Sequence, residues 1–213
     1  LWAAVEDGAR ATGLDLLLDS DVPMGAGLSS SAAVECSTLL AVSDLWEHQR
    51  SRLELARLAQ RAEVEVAGVP CGLMDQLASM EARSGHALAV DFRSLSVEAV
   101  PLPLERAGLG LLVIDTRSPH ELAEGQYAER RSTCQRAAQA LGVSSLRDAT
   151  LASLTQLEPA HPLELRRARH VISENERVTA CLGILRAATD PAAPARLEAL
   201  GPILSAGHAS LRD

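Results

Sequence analysis

The sequence predicts an α+β fold in two parts: a mixed β-sheet with helices over residues 1–118, then a helix-rich part over residues 119–213. Three observations carry this. Short apolar runs at Leu14–Leu18, His86–Phe92, Ser96–Leu102 and Leu109–Asp115 read as strands. Apolar residues at helical spacing fall between them, as in Leu55, Leu58, Ala59 and Ala62. Beyond Thr116 the strand signals stop and long helical stretches take over, which puts the candidate boundary at 116–120.

Each element has a local reason. Leu14–Leu18 lies between Gly13 and Pro23. The Gly25–Ser31 loop then runs into a helix of small residues, Ala32–Val42. Ser51 followed by Glu54 is a capping-box signature for the next helix, and Gly68 and Pro70 end it near Ala67. A second glycine-bounded turn, Gly68-Val69-Pro70-Cys71-Gly72, leads into Leu73-Met74-Asp75-Gln76. Arg93 and Ser94 suit a hairpin connection between two strands. Gln126–Leu141 is predicted as a helix closed by Gly142, Leu163–Ala188 as a long one, and Pro194–Leu204 as a last one.

Composition excludes several classes. Hydrophobic residues make up 47% of the 213-residue chain but aromatics only 2%, so the core must be aliphatic and single-strand nucleic-acid stacking has no rings to use. A net charge of −8 disfavours nucleic acid and anionic membranes as partners. No apolar run nears the ~20 residues of a spanning helix. Cys36, Cys71, Cys134 and Cys181 form no C-x-x-C pair and read as thiols in a reducing compartment, the cytoplasm. The six histidines lack metal-ligand spacing; His120, His170 and His208 read as structural hydrogen-bonding groups. A monomer acting on small molecules is expected. The chain opens on Leu1 rather than Met and stops after an apolar, glycine-punctuated segment, so an internal piece of a longer protein is expected.

The most informative stretch is Pro23-Met24-Gly25-Ala26-Gly27-Leu28-Ser29-Ser30-Ser31-Ala32. Glycines let the backbone approach a ligand, and a helix N-terminus just after them offers unpaired N–H groups and partial positive charge to a phosphate. The plain alternative is a turn with serine N-caps. Every basic residue is an arginine, so a Walker A loop, which needs Lys, is excluded. Ser30 stands where a dinucleotide fingerprint needs glycine, and no G-x-S-x-G elbow occurs.

The pattern P-x-G-x-G-L-S-S-S-A instead resembles the nucleotide loop of the GHMP kinases, a superfamily of small-molecule kinases. Gly68-Val69-Pro70-Cys71-Gly72-Leu73-Met74-Asp75-Gln76 is similar to the central signature of the galactokinase branch, as is Gly85-His86-Ala87-Leu88 with Asp91-Phe92-Arg93-Ser94-Leu95. Further blocks in the same order are His120-Glu121-Leu122 through Tyr127-Ala128-Glu129-Arg130-Arg131 and Cys134, then Ala168-Arg169-His170-Val171 with Glu174-Asn175-Glu176-Arg177, then Ser205-Ala206-Gly207-His208 with Ser210-Leu211-Arg212-Asp213. The likeness covers nearly the whole chain. It implies a two-domain GHMP kinase fold, with an ATP-binding domain over 1–118 and a second domain over 119–213.

The resemblance also implies roles. Gly25, Ala26, Gly27, Leu28, Ser29, Ser30 and Ser31 would cradle the ATP phosphates, and Ser31 and Glu63 would ligate Mg²⁺. On the residues alone Glu63 reads rather as a solvated helix charge, and only the motif register favours the ligand, although one hydroxyl and one carboxylate suffice for a cation that keeps most of its waters. Asp75 would be the catalytic base that accepts the proton of a sugar C1 hydroxyl, and otherwise reads as an early-turn acid favouring the helix dipole. Gly72, Asp75 and Tyr127 would contact the sugar, though the only tyrosine could equally anchor the interface between the halves.

The implied activity is ATP-dependent phosphorylation of the C1 hydroxyl of α-D-galactose, a step of galactose metabolism. Another sugar 1-kinase of the superfamily, acting on N-acetylgalactosamine or arabinose, is the alternative within the enzyme class; a non-catalytic galactose- and ATP-binding sensor is the alternative outside it. The galactokinase pattern also has an N-terminal block with an arginine, Gly-Glu-His and an aspartate, and a C-terminal glycine-rich motif. Neither occurs here. The segment alone is therefore expected to be poorly active or inactive, with a sheet edge left exposed.

Overall fold

The computed structural model describes residues 1–115, 123–157, 161–188 and 194–212, with side chains not described at 123–127 and 194–196. The expected boundary at 118/119 lies outside the described residues, as do His120, Glu121, Leu122 and Asp213. Contacts sort the chain into two compact units: Leu1–Ser84 with Val90–Ala99 and Leu111–His120, and Gly85–Ala89 with Val100–Gly110 and Glu121–Asp213.

The first unit is built on four helices: α1 (Trp2–Glu6), α2 (Ser30–Leu45), α3 (Arg52–Glu65) and α4 (Met74–Glu81). Its core is aliphatic, as composition requires. Ala3, Leu39, Val42, Leu55, Ala59 and Leu77 are among its buried members, with Cys36 and Trp46. Cys36, Leu39 and Val42 of α2 share this core with Leu55, Ala56 and Ala59 of α3, and that packing fixes which of their polar residues can meet. Two further ties fix the ends. The Asp7 carboxylate accepts from Arg50 Nε at 2.7 Å and meets His48 Nε2 at 2.9 Å. Arg52 donates to the Met80 carbonyl, joining α3 to α4.

Strands β1 (His86–Asp91) and β2 (Ser96–Pro101) form a two-stranded hairpin. Its connection begins with an Asx turn: Asp91 Oδ1 accepts from Arg93 N at 2.8 Å, and Leu95 N donates to the Asp91 carbonyl at 2.7 Å. The predicted strands at Leu14–Leu18 and Leu109–Asp115 are not strands: neither pairs with another segment, and both lie largely exposed, Leu17 at 92% and Leu112 at 83%. A strand needs a neighbour for its backbone groups, and among the described residues these runs find none.

The second unit holds α5 (Ala123–Ala140), α6 (Pro162–Ala187) and α7 (Leu200–Arg212). One core cluster gathers Ala137, Leu146, Leu154, Leu157, Ala168 and Ile172; another gathers Val100, Leu185, Ala188 and Leu197. His170 Nδ1 meets Ser210 Oγ at 2.8 Å, tying α6 to α7, and Arg177 donates to Glu174 at 2.6 Å, an i,i+3 pair along α6. The predicted Pro194–Leu204 helix resolves into a 3₁₀ segment, Pro194–Ala199, followed by α7. All four cysteines are free thiols. No helix among the described residues is long and apolar enough to cross a membrane.

Candidate active site

The glycine–serine loop takes a backbone that few residues tolerate. Gly25 has φ +74° and Gly27 φ +72°, the left-handed region where a Cβ is strained, and a Cβ on either would meet open space rather than protein. Ser29 follows at φ 54°, ψ 46°, and is the N-cap of α2. A left-handed serine cannot aim its hydroxyl at the helix in the usual way, and Ser29 makes no capping hydrogen bond. The ladder of α2 begins only with Ala33 N donating to Ser29 O, at 3.0 Å. The amides of the first turn are thus left at the foot of an open, glycine-lined loop, a setting suited to an anion.

On this first turn, Ser31 Oγ donates to Glu63 Oε1 at 2.7 Å. Glu63 is on the last turns of α3 and is only 8% exposed, so the solvated-charge reading of this residue is set aside. A buried carboxylate needs partners, and Glu63 has a full set. Its Oε2 accepts from Gln76 Nε2 at 2.6 Å and from Cys71 Sγ at 3.2 Å. The Gly68–Gly72 turn is folded back over α3 to make this possible: Val69 N donates to the Glu63 carbonyl at 3.1 Å, and Gln60 Nε2 donates to the Cys71 carbonyl at 3.2 Å.

The electrostatics follow from the burial. Glu35, one helical turn beyond Ser31, has its carboxyl pushed up to about 7, first by burial and then by the negative charge of Glu63. The Cys71 thiol is pushed up to about 11, by burial first and then by Glu63, which accepts its hydrogen bond. Cys36 rises to about 11, chiefly through burial. These thiols stay protonated near neutrality and act as weak donors rather than nucleophiles.

The structure thus brings Ser31 and Glu63 into direct contact. Asp75 is in the first turn of α4, half-buried, beside Gln76, and its carboxylate has no hydrogen-bonding partner among the described residues. Gly72 is exposed just before α4. Tyr127 belongs to α5, but its side chain lies outside the described residues. Gln76, Cys71 and Glu35 were missed as functional residues. The first two stand inside the motif around Asp75, and the i,i+4 spacing of Glu35 from Ser31 was the available signal for the third.

The site's oxygens can be tested against a divalent cation. A hydroxyl and a carboxylate oxygen in contact are hard donors. Among the described residues no group of three or more His, Cys, Asp or Glu could enclose a metal by itself. That donor set fits Mg²⁺, which takes one or two protein oxygens and completes its shell with water and phosphate, better than it fits zinc or a caged calcium.

Residues 1–83 match the family described as GHMP kinases N terminal domain. Along its whole length the chain is 45% identical to a galactokinase of Streptomyces coelicolor, and over 97% of its length 38% identical to a galactokinase of Thermotoga petrophila. It covers 54% and 55% of those proteins, so it spans about half the length of the curated relatives it matches. Among solved structures, that of Lactococcus lactis galactokinase complexed with galactose superposes with a TM-score of 0.74 at 28% identity, covering 91% of this chain and 49% of that one.

Proposed function

We propose that this chain, which shares the fold of a solved galactokinase, is the phosphate-, metal- and base-bearing portion of a galactokinase of the GHMP kinase superfamily. The reaction is transfer of the γ-phosphoryl group of ATP to the C1 hydroxyl of galactose. The observation that carries the reading is the Ser31 Oγ–Glu63 Oε1 contact of 2.7 Å at the foot of a helix that starts without a cap.

The chain's own residues divide the work. The amides of Gly25–Ser31 receive the phosphates of ATP, and the open first turn of α2 favours their charge. Ser31 and Glu63 would hold Mg²⁺, which when bound neutralises charge on the phosphate oxygens. Gln76 and Cys71 keep the Glu63 carboxylate aimed at Ser31. Asp75, in the first turn of α4 and without a hydrogen-bonding partner among the described residues, orients the sugar hydroxyl and accepts its proton as the new O–P bond forms and the bond to ADP breaks. Gly72, exposed just before α4, gives the sugar a close approach to the backbone. Four unpaired thiols suit the cytoplasm as the place of action.

The test is ATP- and galactose-dependent ADP release, measured for this chain and for a version extended to the length of its relatives. Asp75→Asn in the active version is expected to lower kcat by about a hundredfold or more, the usual contribution of a positioned base. An Asp75→Asn protein that turns over like the parent would overturn the assignment of the base. Faster turnover with another sugar would move the reading to a different sugar 1-kinase.

A further inference from the structure

A cavity of about 200 Å³ lies between α5 and α6 of the second unit, lined by Glu129, Arg130, Thr133, Leu163 and Arg167. Charge along this helix pair is matched at one place and unmatched at the cavity. Arg136 of α5 donates to Glu164 of α6 at 3.0 Å and to Thr133 Oγ1 at 3.0 Å. Arg130 and Arg167 have no counterpart of that kind: among the described residues neither makes a hydrogen bond or an ion pair. We propose that the cavity is a binding site for a small phosphate ester, its phosphate taken by these two guanidinium groups. The site uses none of Gly25–Ser31, Glu63 or Asp75, and it goes beyond the kinase reading above.

The lining residues set the chemistry. A guanidinium has donors and no acceptor, and Arg167 is half-buried without a partner, which calls for an anion. Each planar fork matches phosphate oxygens in pairs, and forks arriving from two helices suit a phosphate better than a lone carboxylate, which one fork satisfies. The start of α6 adds to the field: Leu163 stands in its first turn, and the N-cap His161 makes no side-chain capping bond. Thr133 has nothing left to give a ligand. It is buried, and its hydroxyl donates to the Glu129 carbonyl at 2.9 Å and accepts from Arg136. Two further groups narrow the class. The Glu129 carboxylate, also without a partner among the described residues, accepts from a ligand hydroxyl and repels a bare polyanion. Leu163 offers an apolar wall to a carbon chain. A phosphate carried on a small polyol uses all of these groups, whereas inorganic phosphate leaves Glu129 and Leu163 idle.

The experiment is calorimetric titration of the 213-residue chain with glycerol 3-phosphate and, separately, with inorganic phosphate, with the affinity for a fluorescent ATP analogue and the melting temperature recorded alongside. The parent is expected to bind the ester more tightly than the inorganic ion. Arg130→Ala and Arg167→Ala are each expected to weaken ester binding by about tenfold, with ATP-analogue affinity and melting temperature unchanged. Arg167→Lys keeps the charge, loses the fork and is expected to fall between the parent and Arg167→Ala. Arg131→Ala removes a neighbouring positive charge that does not line the cavity and is expected to bind like the parent. A parent that binds neither probe would overturn the proposal, as would alanine variants that bind like the parent, which would put the phosphate elsewhere and leave the kinase reading standing. An equal loss in Arg131→Ala would reduce the effect to net charge and overturn the site. Tighter binding of inorganic phosphate than of the ester would overturn the assignment of the ligand class.

Discussion

Two helices of the first unit start on a serine, and they start in opposite ways. Ser51 has extended backbone, φ −65°, ψ 158°, accepts from Glu54 N, and has its own N–H bound by the Glu54 carboxylate at 2.8 Å. The start of α3 is sealed. Ser29 is left-handed and bonds to nothing as a cap, so the start of α2 is open. The same residue type therefore serves stability at one place and forgoes it at the other. A sealed end gains roughly 1 kcal/mol from its cap. An open end gives this up, adds the cost of a left-handed serine, and keeps its amides for a ligand.

Removing each serine tests this contrast. Ser31→Ala has the largest expected effect: Mg²⁺-dependent tightening of ATP binding falls by about tenfold or more, read by nucleotide titration, with affinity in EDTA unchanged. If binding were unaffected, the open helix end would be an accident of the fold. Ser51→Ala comes next and works in the other currency. It is expected to destabilise by about 1 kcal/mol, or about 2–4 °C in a melt of a chain this long, with no change in nucleotide affinity. Ser29→Gly relieves the left-handed backbone and is expected to raise stability by about 0.5–1 kcal/mol, visible as a small rise in the melting temperature. A fall there would mean that the Ser29 hydroxyl has a partner in solution.

The sealed end holds no shifted acid in a buried setting, whereas the open helix carries Glu35, which gives a pH test. With its folded value raised to about 7 from an ordinary 4.5, the folded chain holds this proton more tightly than the unfolded one. The resulting stability is full below pH 4.5 and is lost as pH rises through about 7. Burial and the Glu63 charge raise it, the Gln76 amide opposes them, and the Cys36 and Cys71 thiols stay neutral over this range. Melting curves of the parent are expected to lose ground to Glu35→Gln between those values and to run parallel above them. Curves that never diverge would place Glu35 in water.

Sealed ends are easier to read from sequence than open ones. Ser51 and Glu54 announce their helix because both halves of a capping box lie within four residues, and the helical spacing of Leu55, Leu58 and Ala59 agrees. The long helices of the second unit were legible for the same local reason. Leu14–Leu18 and Leu109–Asp115 failed as strands because a strand's identity depends on a partner elsewhere in the chain, which a run of apolar residues does not reveal. Ser31, Glu63 and Asp75 were found through motif likeness, not through any pattern intrinsic to three polar residues. Gln76 stands inside the same motif, but neither its role nor that of Glu35 could be read that way. Their importance lies in the packing of α2 against α3 and α4, which brings together residues 41 positions apart, and a single sequence does not contain that register.

The unpaired run Leu111-Leu112-Val113-Ile114 has a practical consequence at the bench. Four aliphatic residues in a row, uncharged and open to solvent, are a nucleus for sticking to another copy of the same run. Concentrated samples would then cloud on warming, and the clouding would set in earlier as protein concentration rises. Melts of this chain would depend on heating rate, so variants should be ranked at one fixed rate and low concentration.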